Sequence, residues 1–118
     1  MILTNLEMLN YLIKLNEIAD KVTGKIAYAI ARNIRKISTE LTEFNYFKNK
    51  YIQENQLINT DEQSIEYQKF LEYINPFMYI QHEVDIYKIY SYELYDSNLT
   101  AKDILELNFM IIDEEKGD

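Results

Sequence analysis

"KIAYAIARNIRKISTELTEFNYFKNKYIQE", residues 25–54, is the stretch whose reading decides the fold. Within it Ile30, Ile34, Ile37, Leu41, Phe44, Lys48 and Tyr51 follow one another at steps of 4, 3, 4, 3, 4 and 3. That spacing is the heptad-like seam of an amphipathic helix, interrupted at Lys48. Ile26 and Ala27 extend the seam backwards, and Ala27, Ala29 and Ala31 would let a neighbouring helix come close. A helix over 25–54 is about 45 Å long.

The preceding segment predicts a partner helix over 4–21. Thr4 and Glu7 have the spacing of a capping box. Leu6, Leu9, Leu12, Ile13 and Ile18 then fall at helical intervals, and Thr23-Gly24 punctuates the chain. This helix is too short to cover the whole ridge. The remainder must be covered by the C-terminal half or by a second copy of the chain, and the latter predicts a homo-oligomer joined along the helix over 25–54.

A polar break, 55–60, follows. Thr60 with Gln63 offers another capping box, and "DEQSIEYQKFLEYIN" reads as a third helix with Ile65, Leu71 and Ile74 inward. It should stop at Asn75-Pro76, because a residue before proline is pushed out of the helical region. From Phe77 to Leu94 the β-formers Ile, Val, Tyr and Phe dominate, which predicts two short strands over 77–81 and 84–93. "DSN" at 96–98 is a turn, Thr100 with Asp103 caps a last helix in "AKDILELNFMII", and 113–118 frays. The expected fold is α+β and mostly helical. It comprises a long helical hairpin over 4–54, a third helix, a small two-stranded β element and a short C-terminal helix, all in a single domain over 1–118.

Composition narrows the function. The 118 residues carry no cysteine, two glycines and one proline. Disulfides and thiolate metal sites are excluded, and a reducing cytosol is the expected location. No apolar run approaches the length of a membrane span, and "MILTNLEMLNYLIK" lacks the marks of a signal peptide. The net charge of −8 is polarised, with +3 on residues 1–50 and −11 on residues 51–118. Such a surface does not suit direct nucleic-acid binding, because phosphate is repelled by the acidic half.

Two groups of side chains are candidate sites. Lys25, Arg32, Arg35 and Lys36 form a basic stripe off the isoleucine seam, with Tyr28 one turn before Arg32. Tyr28, Arg32, Arg35 and Lys36 could hold an anion, such as a nucleotide, by forked donors and ring stacking. The plainer reading is a solvated face balanced by Glu40 and the acidic half. Tyr87, Tyr90, Tyr92 and Tyr95, in "DIYKIYSYELYD", could form a partner-binding surface, since tyrosine is enriched at interfaces. Their plainer reading is a half-buried strand face, with Tyr90 and Tyr92 sharing one parity.

No catalytic, metal or cofactor site is expected. His82 stands alone, Glu83 and Asp85 look like edge charges, and there is no P-loop, nucleophile elbow or dinucleotide turn. The acidic run Asp113–Glu115 with Asp118 reads as solubilising, and phosphate mimicry is disfavoured because the carboxylates are scattered among tyrosines.

Four segments, "LTNLEMLNYLIKLNEIA", "GKIAYAIARNIRKISTELTEFN", "EVDIYKI" and "LTAKDILELNFMIID", cover more than half of the chain in order. In them the chain resembles small phage and prophage proteins of Firmicutes that have no known function. The resemblance brings no catalytic motif and transfers no site residues. It implies a viral origin and residence in the cytoplasm of a bacterial host. With it, the expected function is that of a non-enzymatic binding protein directed at a host or phage protein, such as a component of a bacterial anti-phage defence. The alternatives are a sponge for an anionic nucleotide immune signal and a virion-assembly or tail-associated component.

Overall fold

The computed structural model describes residues 1–57 and 61–113. Among the described residues there are five α-helices and a small two-stranded antiparallel sheet, so the fold is α+β and mostly helical. The order is β1 (Ile2–Thr4), α1 (Asn5–Ala19), α2 (Gly24–Glu40), α3 (Thr42–Glu54), α4 (Ile65–Met78), β2 (Gln81–Glu83), β3 (Ile89–Tyr90), α5 (Ala101–Glu106) and β4 (Ile111–Ile112). Short 3-10 turns occupy Ser91–Leu94 and Asn108–Met110.

Helix α1 starts as its sequence dictates. The Thr4 hydroxyl accepts from Glu7 N–H while the Glu7 carboxylate accepts from Thr4 N–H, closing the capping box. Its buried face is Asn5, Met8, Leu15 and Ile18, with Leu9 and Leu12 packed alongside. Ile13, expected inward, is exposed, because the face that meets α2 is centred on Met8 and Leu15.

The helix expected over 25–54 is two helices joined at Leu41, where φ is −89° and ψ is 3°. The cause is local. Thr39 Oγ1 donates to the Arg35 carbonyl and Thr42 Oγ1 to the Thr39 carbonyl, a back-bonding that bends helices. The seam still works as one ridge. Ile30, Ile37, Leu41 and Phe44 are buried, and Ile34 is partly so. Helix α1 and the turn at Ser91–Leu94 pack on α2, while α4 packs on α3. The chain covers its own ridge, so the covering argument for a twin molecule loses its force.

Helix α4 also departs from expectation. Thr60 lies outside the described residues; the cap in place is Ser64, whose Oγ accepts from Tyr67 N–H. The helix runs through Pro76 to Met78. Proline forfeits one hydrogen bond there, and so close to the C-terminus the ladder loses little more. The inward face is Phe70, Tyr73, Ile74 and Phe77, at i, i+3, i+4 and i+7. Ile65, 71% exposed, and Leu71 lie off that face. Phe77 is therefore helical and not part of a strand.

The expected strand over 84–93 shrinks to Ile89–Tyr90, and neither strand in this region pairs with the other. β1 pairs antiparallel with β2, Leu3 opposite His82, and β3 pairs parallel with β4, Ile89 opposite Ile111. Between β2 and β3 the backbone is held by side chains of α2 in place of a sheet. Asn33 Nδ2 donates to the Tyr87 carbonyl at 2.8 Å and Asn33 Oδ1 accepts from Tyr87 N–H at 2.7 Å. Lys36 Nζ donates to the Asp85 carbonyl at 2.7 Å.

The Thr100–Asp103 capping box opens α5 as expected, but the helix ends at Glu106 and residues 111–112 form β4. Of the acidic tail, residues 114–118 lie outside the described residues.

Candidate functional site

The two candidate groups named from the sequence are not separate. Tyr28 and Arg32 are one turn apart on α2, and the Asn33 clamp brings Tyr87 down onto the same helix. The Arg32 guanidinium carbon lies 5.7 Å from the Tyr28 ring centre and 5.1 Å from that of Tyr87. Arg32 Nη1 donates to Tyr28 Oη at 3.2 Å, and the two rings meet edge to face at 5.7 Å. Tyr28 is 55% exposed and Tyr87 37%. A cation held between two rings is pre-ordered, and its outer edge is still free to accept a partner.

The rest of the basic stripe is partly spent. Lys36 is occupied by Asp85, its carboxylate at 3.4 Å as well as its carbonyl. Arg35 makes no side-chain bond among the described residues. It lines an open groove of about 320 Å³ with Lys36, Thr39, Glu40, Val84 and Asp85, so an anion entering there faces two carboxylates. Lys25 lines a different groove, of about 360 Å³, with Lys21, Tyr92, Glu93 and Asp96.

The four tyrosines of 87–95 also disperse. Tyr87 joins Arg32; Tyr90 and Tyr92 stack on each other at 5.4 Å with planes 4° apart; Tyr95 is 78% exposed. They do not form one strand face, because the chain turns into a 3-10 helix at Ser91.

What the sequence reading missed lies between α3 and α4. Seven rings run as a ladder: Tyr46, Phe47, Phe77, Tyr73, Tyr51, Phe70 and Tyr67, each within 6.0 Å of the next. The signal was present, since aromatics recur at steps of 3 or 4 in both 44–51 and 70–77. At one end the ladder opens into a groove of about 330 Å³ lined by Phe44, Phe47, Phe77, Ile80, Asn5, His82 and Glu43.

Among the described residues two titrating groups are shifted. Burial, with the Glu7 charge added, raises the Tyr11 hydroxyl above its ordinary value, and its ring stacks on Phe109 at 4.0 Å. The Asp103 carboxyl is lowered, first by accepting from Thr100 N–H and then by Lys21, whose Nζ is 3.2 Å away. Among the described residues no three His, Asp or Glu side chains converge as a metal site would require, and no helix is long and apolar enough to cross a membrane.

No family model, no curated protein and no solved structure matches the chain.

Proposed function

We propose that this chain is a non-enzymatic binding protein that docks a protein partner on the Tyr28–Arg32–Tyr87 patch. The observation that carries the reading is the exposed guanidinium already held against two tyrosine rings. Tyrosine and arginine are the residue types that dominate interface energetics, and pre-ordering spares the entropy of fixing a long side chain on binding. The resemblance to phage proteins directs the expectation to a bacterial host protein, with inhibition of a defence component as the specific form. A sponge for an anionic nucleotide has less support, because Lys36 is already paired and Glu40 and Asp85 stand beside Arg35.

The test is affinity capture from host lysate with the wild-type protein, followed by identification of the captured protein and measurement of its affinity in purified form. Tyr28→Ala combined with Tyr87→Ala is expected to weaken binding by about 30-fold or more, the loss of a hot spot worth about 2 kcal/mol. Equal affinity of a folded double variant would remove the patch from the interface.

A further inference from the structure

The chain has ten lysines and only two arginines, and both arginines stand on α2, three positions apart. Tyr28, Arg32, Arg35 and Thr39 follow at steps of 4, 3 and 4, so they form one exposed line on the side of α2 away from the buried Ile30, Asn33 and Ile37. The chain carries 20 aspartates and glutamates, yet among the described residues none lies within salt-bridge distance of either arginine. The two that share a groove with Arg35 are engaged elsewhere, Asp85 with Lys36 Nζ at 3.4 Å and Glu40 with His82 Nδ1 at 3.3 Å. Arg32 spends one donor on Tyr28 Oη and rests against two rings, which leaves most of its fork unused.

Arginine differs from lysine in presenting a planar fork that takes a carboxylate through two parallel bonds. Two forks about 4.5 Å apart along a helix axis match carboxylates one turn apart on a second helix. An extended segment repeats one face only about every 6.6 Å and falls out of step. We propose that the line Tyr28–Arg32–Arg35 receives an acidic helical segment of the partner protein, with carboxylates one turn apart paired to Arg32 and Arg35. This rests on the reading of the Tyr28–Arg32–Tyr87 patch as a protein interface and adds the partner's chemistry. Nucleic acid fits this face less well, because its phosphates recur without a gap while the Asp85 carboxylate beside the line is 99% exposed and the chain bears −8 overall. A second copy brings the same net charge of −8 and is repelled at long range.

The probe is a helical peptide of alanine and glutamine that carries glutamates at steps of 3 and 4 along one face. It is titrated into isotope-labelled protein and followed at the arginine Nε–Hε signals, which in this chain belong to Arg32 and Arg35 alone. Both signals are expected to shift, with an affinity about tenfold above that of a peptide of the same composition whose glutamates are spread around the helix. Added salt should weaken the binding. Arg35→Gln changes an exposed side chain that makes no bond among the described residues, and should weaken it by about fivefold in a folded protein. The charge swap Arg32→Glu with Arg35→Glu should lose the glutamate peptide and take up its lysine counterpart. No shift at either arginine, equal affinity for the two glutamate arrangements, or tighter binding of a phosphoserine version or of single-stranded DNA would overturn the proposal. Self-association that depends on Arg35 in sedimentation would overturn it too, by assigning the line to a second copy. With the partner captured from host lysate, a loss of affinity in Tyr28→Ala with Tyr87→Ala but none in Arg35→Gln would sink this inference and leave the patch standing; no loss in either removes both.

Discussion

Asn33 is the residue on which the candidate patch depends. It sits in the isoleucine seam between Ile30 and Ile34, is fully buried, and spends its amide on both backbone groups of Tyr87. A buried asparagine satisfied in this way replaces a β-ladder: it pins an irregular segment to a helix and fixes where the Tyr87 ring lies. Asn33→Leu keeps the branching of the side chain but leaves the part-buried N–H and carbonyl of Tyr87 without their partner. The expected cost is on the order of 3 kcal/mol, read from the urea midpoint at unchanged slope. A change below about 1 kcal/mol would mean that the Tyr87 backbone finds other partners and that Asn33 is not the clamp.

At the scale of elements, what could be read from the sequence was local chemistry. The capping boxes at Thr4 and Thr100 depend on neighbours in sequence and are in place, and so is the part of the ridge from Ile30 to Phe44, carried by two helices where one was expected. What could not be read depends on contacts across the chain. Asn33 satisfies the backbone of an apparent strand 54 residues away, and Pro76 is tolerated because α4 ends two residues later. The pairing of β1 with β2 joins residues some 80 positions apart, which no periodicity announces. The candidate site was legible as residue types and illegible as a constellation: Tyr28, Arg32 and Tyr87 meet only because of that same clamp. The cap of α5 gives a pH test. Its Asp103 carboxyl is depressed from the ordinary 3.8 in the folded protein. The folded state therefore holds that proton less tightly than the unfolded chain does, so the cap's contribution is complete above the unfolded value and is lost as pH falls through the folded one. Asp103→Asn should destabilise the protein at neutral pH, and the difference should shrink as the pH drops below about 4. A difference independent of pH across that range would show that the charge on Asp103 contributes nothing to the cap.

The whole molecule is long for its size. Its radius of gyration is 17.4 Å and its extents are 58 × 26 × 18 Å, whereas a compact chain of this length has a radius near about 13.5 Å. Burial is correspondingly uneven. α1 and α2 contribute nine buried residues between them, while α3 and α4 contribute Phe44 and Ile74. The α3–α4 pair is held chiefly by its ring ladder, in which each contact adds about 0.5–1.5 kcal/mol beyond the area it covers. Regions with few buried side chains open locally at less than the global free energy. Backbone hydrogen exchange should therefore be faster over residues 48–57 and 65–70 than over α2, by at least tenfold. Tyr51, stacked on Tyr73 at 4.4 Å and touching Phe70, is the rung that couples the two helices. Tyr51→Ala should raise exchange throughout this pair and leave α2 protected as before. If α2 and the α3–α4 pair instead lost protection together, the molecule would be one cooperative unit, and a groove bounded by Phe47 and Phe77 would be as rigid as the core behind it.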